Sequence, residues 1–115
     1  MLIYHLTSRS RWEDALQQGS YTAESLAVEG FIHCSTDAQL LPVANAFYRD
    51  LADPVVLRIE ADRLEAPLRW EAPESGDTFD AERFPHVYGP INLDAVIAAT
   101  GPARSPDGSY TGFGR

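Results

Sequence analysis

The spacing of apolar residues in the first third of the chain changes from the period of a strand to the period of a helix. Residues 2–6 are branched and aromatic, which predicts a strand. Ser10 with Glu13 forms a capping-box pattern, apolar residues follow at helical spacing, and Gly19 suits the position just past a helix end. We therefore predict a helix between Ser10 and Gly19, followed by a loop with one helical turn over residues 20–29.

Residues 30–36, Gly-Phe-Ile-His-Cys-Ser-Thr, predict a strand that runs directly into a helix. β-favouring side chains follow the opening glycine, and Thr36 with Gln39 forms a second capping box. Helical spacing of apolar residues then predicts a helix over residues 37–49. That helix requires Pro42 to lie in its first turn, where the missing N–H costs little.

Alternation along the strand at residues 31–35 determines which side chains can act together. His33 and Ser35 share one face with Phe31, whereas Cys34 points to the opposite face. His33 and Ser35 can therefore contact one ligand, and Cys34 cannot assist His33. We expect Cys34 to be a small buried hydrophobic residue.

The second half of the chain contains strand patterns without a repeating strand–helix–strand unit. An acidic, exposed loop is predicted over residues 72–83. Two prolines and a glycine bracket residues 84–90, and an extended backbone there places His86 and Tyr88 on the same face. Three further strands are predicted at residues 55–59, 68–70 and 94–98.

These elements predict a single α+β domain over residues 1–100, with a split, mainly antiparallel sheet and two or three helices. Residues 101–115 contain four glycines, two serines and two prolines. We expect them to form a loosely ordered C-terminal tail, on which Tyr110 and Phe113 are the side chains able to dock on the sheet.

Composition narrows the classes of partner. The formal net charge is -8, from 17 Asp and Glu and 9 Lys and Arg, and all nine of the latter are arginines. Surfaces that bind double-stranded nucleic acid need clustered Lys and Arg, so this partner is not expected. No apolar run reaches the about 20 residues of a membrane helix, and one cysteine cannot form an intramolecular disulfide. A cytoplasmic protein without a membrane partner is expected, and the sequence identifies no protein partner.

The three histidines, His5, His33 and His86, lie in strand-like or proline-bracketed segments, where an isolated histidine is most often structural. A metal site would need ligands from three separate elements, since no pair has ligand spacing, and no metal ligand is assigned. A Cys34 nucleophile would lack a base on its own face. Besides a metal site and a base for Cys34, a third role for the histidines is recognition of a ribose-bearing ligand. In such a site His and Ser bond hydroxyls, Tyr stacks on a ring and Arg binds a phosphate.

Three segments resemble the signatures of one family of small bacterial proteins, the domain-of-unknown-function family 952. They are Tyr4-His-Leu-Thr-Ser8, Gly30-Phe-Ile-His-Cys-Ser-Thr36 and Phe84-Pro-His-Val-Tyr-Gly-Pro90. The resemblance covers nearly all of residues 1–100. It implies a fold similar to that of the ADP-ribosyltransferases.

The resemblance also implies roles for individual residues. Residues 4–7 resemble the Tyr/Phe-His-Gly-Thr start of poly-ADP-ribosyltransferase-like domains, which implies that His5 bonds the adenosine ribose of NAD. Residues 31–35 resemble the His-Val-His-Leu-Ser strand of RNA 2′-phosphotransferases, which implies that His33 and Ser35 line the cleft. Leu6 departs from the first pattern and Phe31 from the second. No motif matches the catalytic glutamate of many ADP-ribosyltransferases.

Together these expectations give one hypothesis, a cleft for a nucleotide-like ligand of NAD or ADP-ribose type. The catalytic residues would be His33 and His86, with Arg58 as the phosphate partner and Tyr88 as the stacking surface. The full set of expected ligand-binding residues is His5, Thr7, Ser35, Arg58 and Tyr88. The activity would be that of an ADP-ribosyl- or phosphotransferase-like transferase with NAD as the candidate substrate, and no cofactor is assigned. The alternatives are a non-catalytic ligand-binding or interaction domain on the same fold and a His-ligated metal hydrolase.

Overall fold

Two three-stranded antiparallel sheets carry the segments singled out above. In the computed structural model, which describes residues 1–72 and 83–113, the first sheet consists of β1 (Leu2–Ser8), β4 (Pro54–Glu60) and β8 (Val96–Thr100), with β4 in the centre. His5 is paired with Leu57 in this sheet. Alternation therefore places His5 on one face of β1 and its neighbours in sequence on the other.

The second sheet consists of β3 (Ile32–His33), β5 (Leu68–Glu71) and β6 (Phe84–Val87), with β6 in the centre. It meets the first sheet at Tyr4 and Ser35, where the backbone N–H of each residue donates to the carbonyl oxygen of the other at 2.8 Å. The sheets are thus continuous at one point, which brings the first and second histidine segments together.

Two short antiparallel pairs complete the described strands: β2 (Ser20–Tyr21) with β7 (Ile91–Asn92), and β9 (Pro102–Arg104) with β10 (Tyr110–Phe113). The described residues also form three α-helices: α1 (Arg9–Gln18), α2 (Glu24–Glu29) and α3 (Asp37–Phe47). Every strand pair among the described residues is antiparallel. The prediction of a single α+β domain with a mainly antiparallel arrangement and two or three helices is confirmed.

The helix starts were predicted with mixed success. The capping box of Thr36 and Gln39 is present, and Gly19 ends α1 with φ +91°. Ser8, and not Ser10, caps α1, because the extended backbone of β1 continues to Ser8 and its Oγ accepts from the N–H of Arg11.

Pro42 lies inside α3 and not in its first turn. The helix tolerates the missing N–H because this segment of α3 faces solvent, so water can bond the carbonyl group that the proline ring leaves without a partner. The helix ends at Phe47, two residues before the predicted end.

A core cluster lies between the two sheets. Ile3 and Leu57 from the first sheet pack in one cluster with Ile32 and Val87 from the second, and Ile91 of β7 joins them. All five are 0% exposed. Because both sheets contribute to this cluster, burial of apolar area fixes their relative position.

The opposite face of the first sheet is covered by α3 and the C-terminal hairpin. Tyr110 and Phe113, which are 2% and 8% exposed, pack in a second cluster with Leu40 and Ala44 of α3. The expectation of a loosely ordered tail over residues 101–115 is wrong for its described part. The two buried aromatic rings offset the entropy cost of ordering a glycine-rich segment.

Arg104 reinforces this hairpin. Its guanidinium group donates to the carbonyl oxygens of Arg49, Leu51 and Gly108, and it lies 4.5 Å from the ring centroid of Tyr110. An arginine that bonds three separate carbonyl groups and stacks on a ring ties β9 to the loop before β4.

Most of the acidic loop expected at residues 72–83 lies outside the described residues. Across residues 1–72 and 83–113, none of the helices combines the length and the apolar character that crossing a membrane requires.

A matched pair of phenylalanine variants tests the docking of the hairpin. Phe113→Ala should cost about 3 kcal/mol of unfolding free energy, because it removes a ring buried in the second cluster. Phe47→Ala should cost less than about 1 kcal/mol, because Phe47 is 63% exposed. Urea denaturation of both variants provides the measurement. Equal costs would mean that the hairpin is not part of the cooperative fold.

Candidate functional site

The three histidines are linked through the junction of the two sheets. His33 and His86 are directly paired across β3 and β6, and their ring centroids are 5.3 Å apart. His5, on β1, donates from Nδ1 to the backbone carbonyl oxygen of His33 at 2.6 Å. The structure therefore brings together the three sequence segments that carry the histidines.

His5 belongs to a buried polar triad, which we define as His5, Tyr21 and Thr7. The phenol oxygen of Tyr21 lies 2.7 Å from Nε2 of His5 and 2.8 Å from Oγ1 of Thr7. All three residues are at most 6% exposed. A ligand contact by His5 or Thr7 would therefore require Tyr21 to move.

The single phenol proton of Tyr21 couples the two hydrogen bonds of the triad. Neutral His5 donates from Nδ1, so Nε2 must accept the phenol proton, and the hydroxyl of Thr7 then donates to the phenol oxygen. If His5 becomes protonated, the phenol proton turns to Thr7. Burial lowers the pKa of His5 to about 4 and raises the pKa of Tyr21 to about 12. At neutral pH both groups are uncharged.

The other two histidines belong to a partly open cluster on the second sheet, which we call the aromatic–acid cluster. Its members are Phe31, His33, His86, Tyr88, Glu29 and Glu71. The ring of Phe31 stacks on that of His86, with 4.1 Å between centroids and 20° between planes. Phe31 also contacts His33 at 4.8 Å and Tyr88 at 5.3 Å. The apolar ring of Phe31 therefore contacts three polar rings, those of His33, His86 and Tyr88.

Each histidine of this cluster has a carboxylate partner. Oε1 of Glu29 lies 2.9 Å from Nε2 of His33. Oε1 of Glu71 accepts from the hydroxyl of Tyr88 at 2.6 Å and from Nδ1 of His86 at 2.8 Å. The bonds from Tyr88 and His86 lower the pKa of Glu71, which keeps this carboxylate ionised at neutral pH.

Glu71 fixes the orientation of the His86 ring. Because Nδ1 donates to Glu71, the neutral ring has its lone pair on Nε2. Within the described residues, Nε2 has no hydrogen-bond partner, and no fully buried side-chain nitrogen or oxygen lacks one, so Nε2 must reach the surface. The pair presents a basic nitrogen outward with a carboxylate behind it.

The remaining expected site residues lie elsewhere. Ser35 is 5% exposed and forms the junction with Tyr4 through its backbone. Arg58 is paired with Tyr4, on the face of the first sheet opposite to His5. Cys34 is buried in the core cluster between the sheets, as expected, and burial raises the pKa of its thiol.

Sequence reasoning missed Tyr21, Glu29 and Glu71. Glu29 lies four residues before His33, and this spacing is a sequence signal that could have identified the pair. The two residues do not share a helix, because Gly30 ends α2 between them. Glu71 is 15 and 17 residues from its two partners, so only the pairing of β5 with β6 could identify it. Across the part of the chain that the structure describes, no group of three or more His, Cys, Asp or Glu could hold a metal ion.

The buried triad predicts a pH dependence of stability. The pKa of His5 is about 4 in the folded chain and about 6.5 when unfolded, so the unfolded state binds more protons between these values. Stability is fully present above pH 6.5 and falls as the pH is lowered toward 4. His5 alone should remove about 2 kcal/mol between pH 7.5 and 5. Urea denaturation at both pH values, with His5→Asn as the comparison, measures this difference; an equal loss in the variant would contradict the assignment.

The position of Cys34 predicts an inert thiol. Cys34→Ala should cost about 1 kcal/mol of stability, since a small buried side chain loses packing contacts. A disulfide reagent should modify the native thiol at neutral pH far more slowly than the thiol of the urea-denatured chain. Rapid modification of the native protein would mean that Cys34 is not in the core.

Residues 6–99 match the model of a family described as protein of unknown function (DUF952). The chain is 33% identical to CC0527 from Caulobacter crescentus, whose crystal structure it matches over 96% of its own length and 94% of the other chain, with a TM-score of 0.83. A double methionine variant of that protein matches over the same shares with 32% identity and a TM-score of 0.82. The solution NMR structure of CC0527 matches over 93% of this chain and 89% of that chain, with 34% identity and a TM-score of 0.76.

No curated protein matches the chain. The family model covers most of the chain and includes all of the second and third histidine segments, which confirms the resemblance drawn from the three motifs. The chain belongs to the DUF952 family.

Proposed function

We propose that the aromatic–acid cluster binds a nucleotide-like ligand of NAD or ADP-ribose type, and that Glu71 and His86 support a transfer reaction on its ribose. The observation that carries this proposal is the carboxylate of Glu71, which is bonded by both Tyr88 and His86 and is still 35% exposed. It is an ionised, oriented carboxylate beside a basic imidazole nitrogen.

Glu71 supplies the chemical group for which the sequence contains no motif. Cleavage of the bond between ribose and a pyridinium ring develops positive charge on the sugar, and a fixed carboxylate stabilises that charge. The resemblance to ADP-ribosyltransferases implies such a glutamate. An ADP-ribosyltransferase-like fold is part of the proposal, and it is supported by the motif resemblance.

The proposed reaction gives each group one role. An acceptor hydroxyl attacks C1′ of the ribose, and Nε2 of His86 takes the hydroxyl proton. The bond from C1′ to the pyridinium nitrogen breaks, its electron pair stays on the nitrogen, and nicotinamide leaves uncharged. Glu71 faces the developing positive charge, and His33, with its side chain 43% exposed, lies beside His86 to bond a ribose hydroxyl or the acceptor.

The second candidate is a non-catalytic ligand-binding or interaction domain. It is favoured by the packing of Phe31 against one face of His86, whose side chain is 5% exposed. Among the described residues, Phe31 covers one face of the ring, so a ligand reaches the ring at its edge. In this case the cluster binds without turnover.

Ligand screening and a carboxylate variant test the proposal and separate the two candidates. NAD, NADP, ADP-ribose and an RNA-terminal phosphate are added in thermal-shift experiments, where a ligand at 100 times its dissociation constant stabilises the fold by about 2.7 kcal/mol. Chromatography then measures nicotinamide release from NAD. We expect Glu71→Gln to retain binding and to lose at least about 100-fold in release.

Glu13→Gln provides the matched control, because Glu13 is exposed on α1. It should behave as the unmodified protein does. Binding of NAD without release would favour the non-catalytic candidate. If none of the four compounds raises the melting temperature, the nucleotide assignment is wrong.

A further inference from the structure

A row of three basic side chains crosses the second sheet. His33 is paired with His86, and His86 is paired on its other side with Arg69. Paired residues on neighbouring strands point to the same face, and the strands are about 4.8 Å apart. The row therefore runs across β3, β6 and β5 on the face that carries the aromatic–acid cluster.

Arg69 is held in this row by an aromatic ring. Its guanidinium carbon lies 5.0 Å from the centroid of the Tyr88 ring, and the hydroxyl of Tyr88 bonds Glu71. Stacking on a ring restrains the guanidinium group and leaves its N–H groups at the edge available. Arg69 is thereby positioned at the end of the row.

Arg69 forms no close ion pair among the described residues, although the carboxylate of Glu71 lies two residues along the same strand and interacts with it electrostatically. Of the other exposed arginines among the described residues, Arg9, Arg11 and Arg49 each lie within 4.0 Å of a described carboxylate oxygen, whereas Arg63 and Arg83 do not. Within residues 1–72 and 83–113, no carboxylate lies this close to Arg69. The side chain is exposed, so an anion reaches it directly.

We infer that Arg69 is the phosphate-binding residue of the cluster, so that the ligand is a nucleotide with a phosphate or diphosphate group and not a free nucleoside. This inference rests on the proposed function. It assigns to Arg69 the role that the sequence gave to Arg58, which is on the other sheet and is paired with Tyr4. A phosphate at Arg69 places the attached ribose close to Glu71, two residues along the same strand, and to His86 on the neighbouring strand.

The charge of the molecule explains why this residue matters for specificity. The net charge of -8 and the carboxylates of Glu29 and Glu71 repel an anionic ligand. A guanidinium group that binds two phosphate oxygens at once offsets this repulsion at one defined point. The binding of a ligand without phosphate does not depend on this guanidinium group.

Calorimetric titration with AMP and with adenosine tests the inference on three variants. Arg69→Gln should weaken AMP binding by about tenfold or more, because it removes charge-assisted hydrogen bonds, and should leave adenosine binding within about twofold. The AMP affinity of Arg69→Lys should lie between that of the unmodified protein and that of Arg69→Gln, since lysine provides the charge without the paired N–H groups. Arg58→Gln is the matched control and should change neither affinity.

Titration with inorganic pyrophosphate separates this inference from the proposed function. In the unmodified protein, the ¹⁵Nε resonance of Arg69 should shift on addition of pyrophosphate, and that of Arg58 should not. If pyrophosphate shifts Arg69 and no nucleotide binds, the anion site stands and the proposed function is wrong. If pyrophosphate leaves Arg69 unshifted, or if Arg69→Gln weakens AMP and adenosine equally, the inference is overturned.

Discussion

The hydrogen bond from Nδ1 of His5 to the carbonyl oxygen of His33 joins the interior of the protein to its candidate site. Strand β3 has only two residues, and so short a strand has few ladder bonds of its own. It is held by β6 on one side, by the junction of Tyr4 with Ser35 on the other, and by His5 at its carbonyl group. The position of the His33 side chain thus depends on a buried side chain 28 residues earlier in the chain.

Burial of His5 makes this link specific. A protonated imidazole is costly in the interior, so the ring is neutral, and its two nitrogens then have different roles, one as donor and one as acceptor. The hydroxyl of Tyr21 donates to the acceptor nitrogen, Nε2, and the carbonyl oxygen of His33 accepts from the donor nitrogen, Nδ1. A one-residue shift of β1 against its neighbours would turn His5 to the other face of the sheet, away from both partners, so the triad helps to fix the register of the strand.

Local patterns predicted much of this architecture, and long-range pairing accounts for the rest. Alternation correctly put Cys34 in the core and put His86 with Tyr88 on one face, because these depend only on an extended backbone. The partners of Tyr21 and Glu71 are contributed by other strands, and no local pattern encodes the register that brings them together. The hairpin at residues 102–113 was missed for a similar reason, since its glycines indicate flexibility whereas its buried rings stabilise it only once α3 and the first sheet are in place.

The order of charged groups on the second sheet determines how the proposed ligand would lie. Glu29 and His33 lie on one side, His86 lies on the central strand, and Glu71 and Arg69 lie two residues apart on the far strand. The proposed ligand, with a cationic ring and an anionic phosphate, would match this order with its phosphate at Arg69 and its ring toward the carboxylate of Glu29 on the opposite side. Under this proposal, the positions of these charges select one orientation of the ligand.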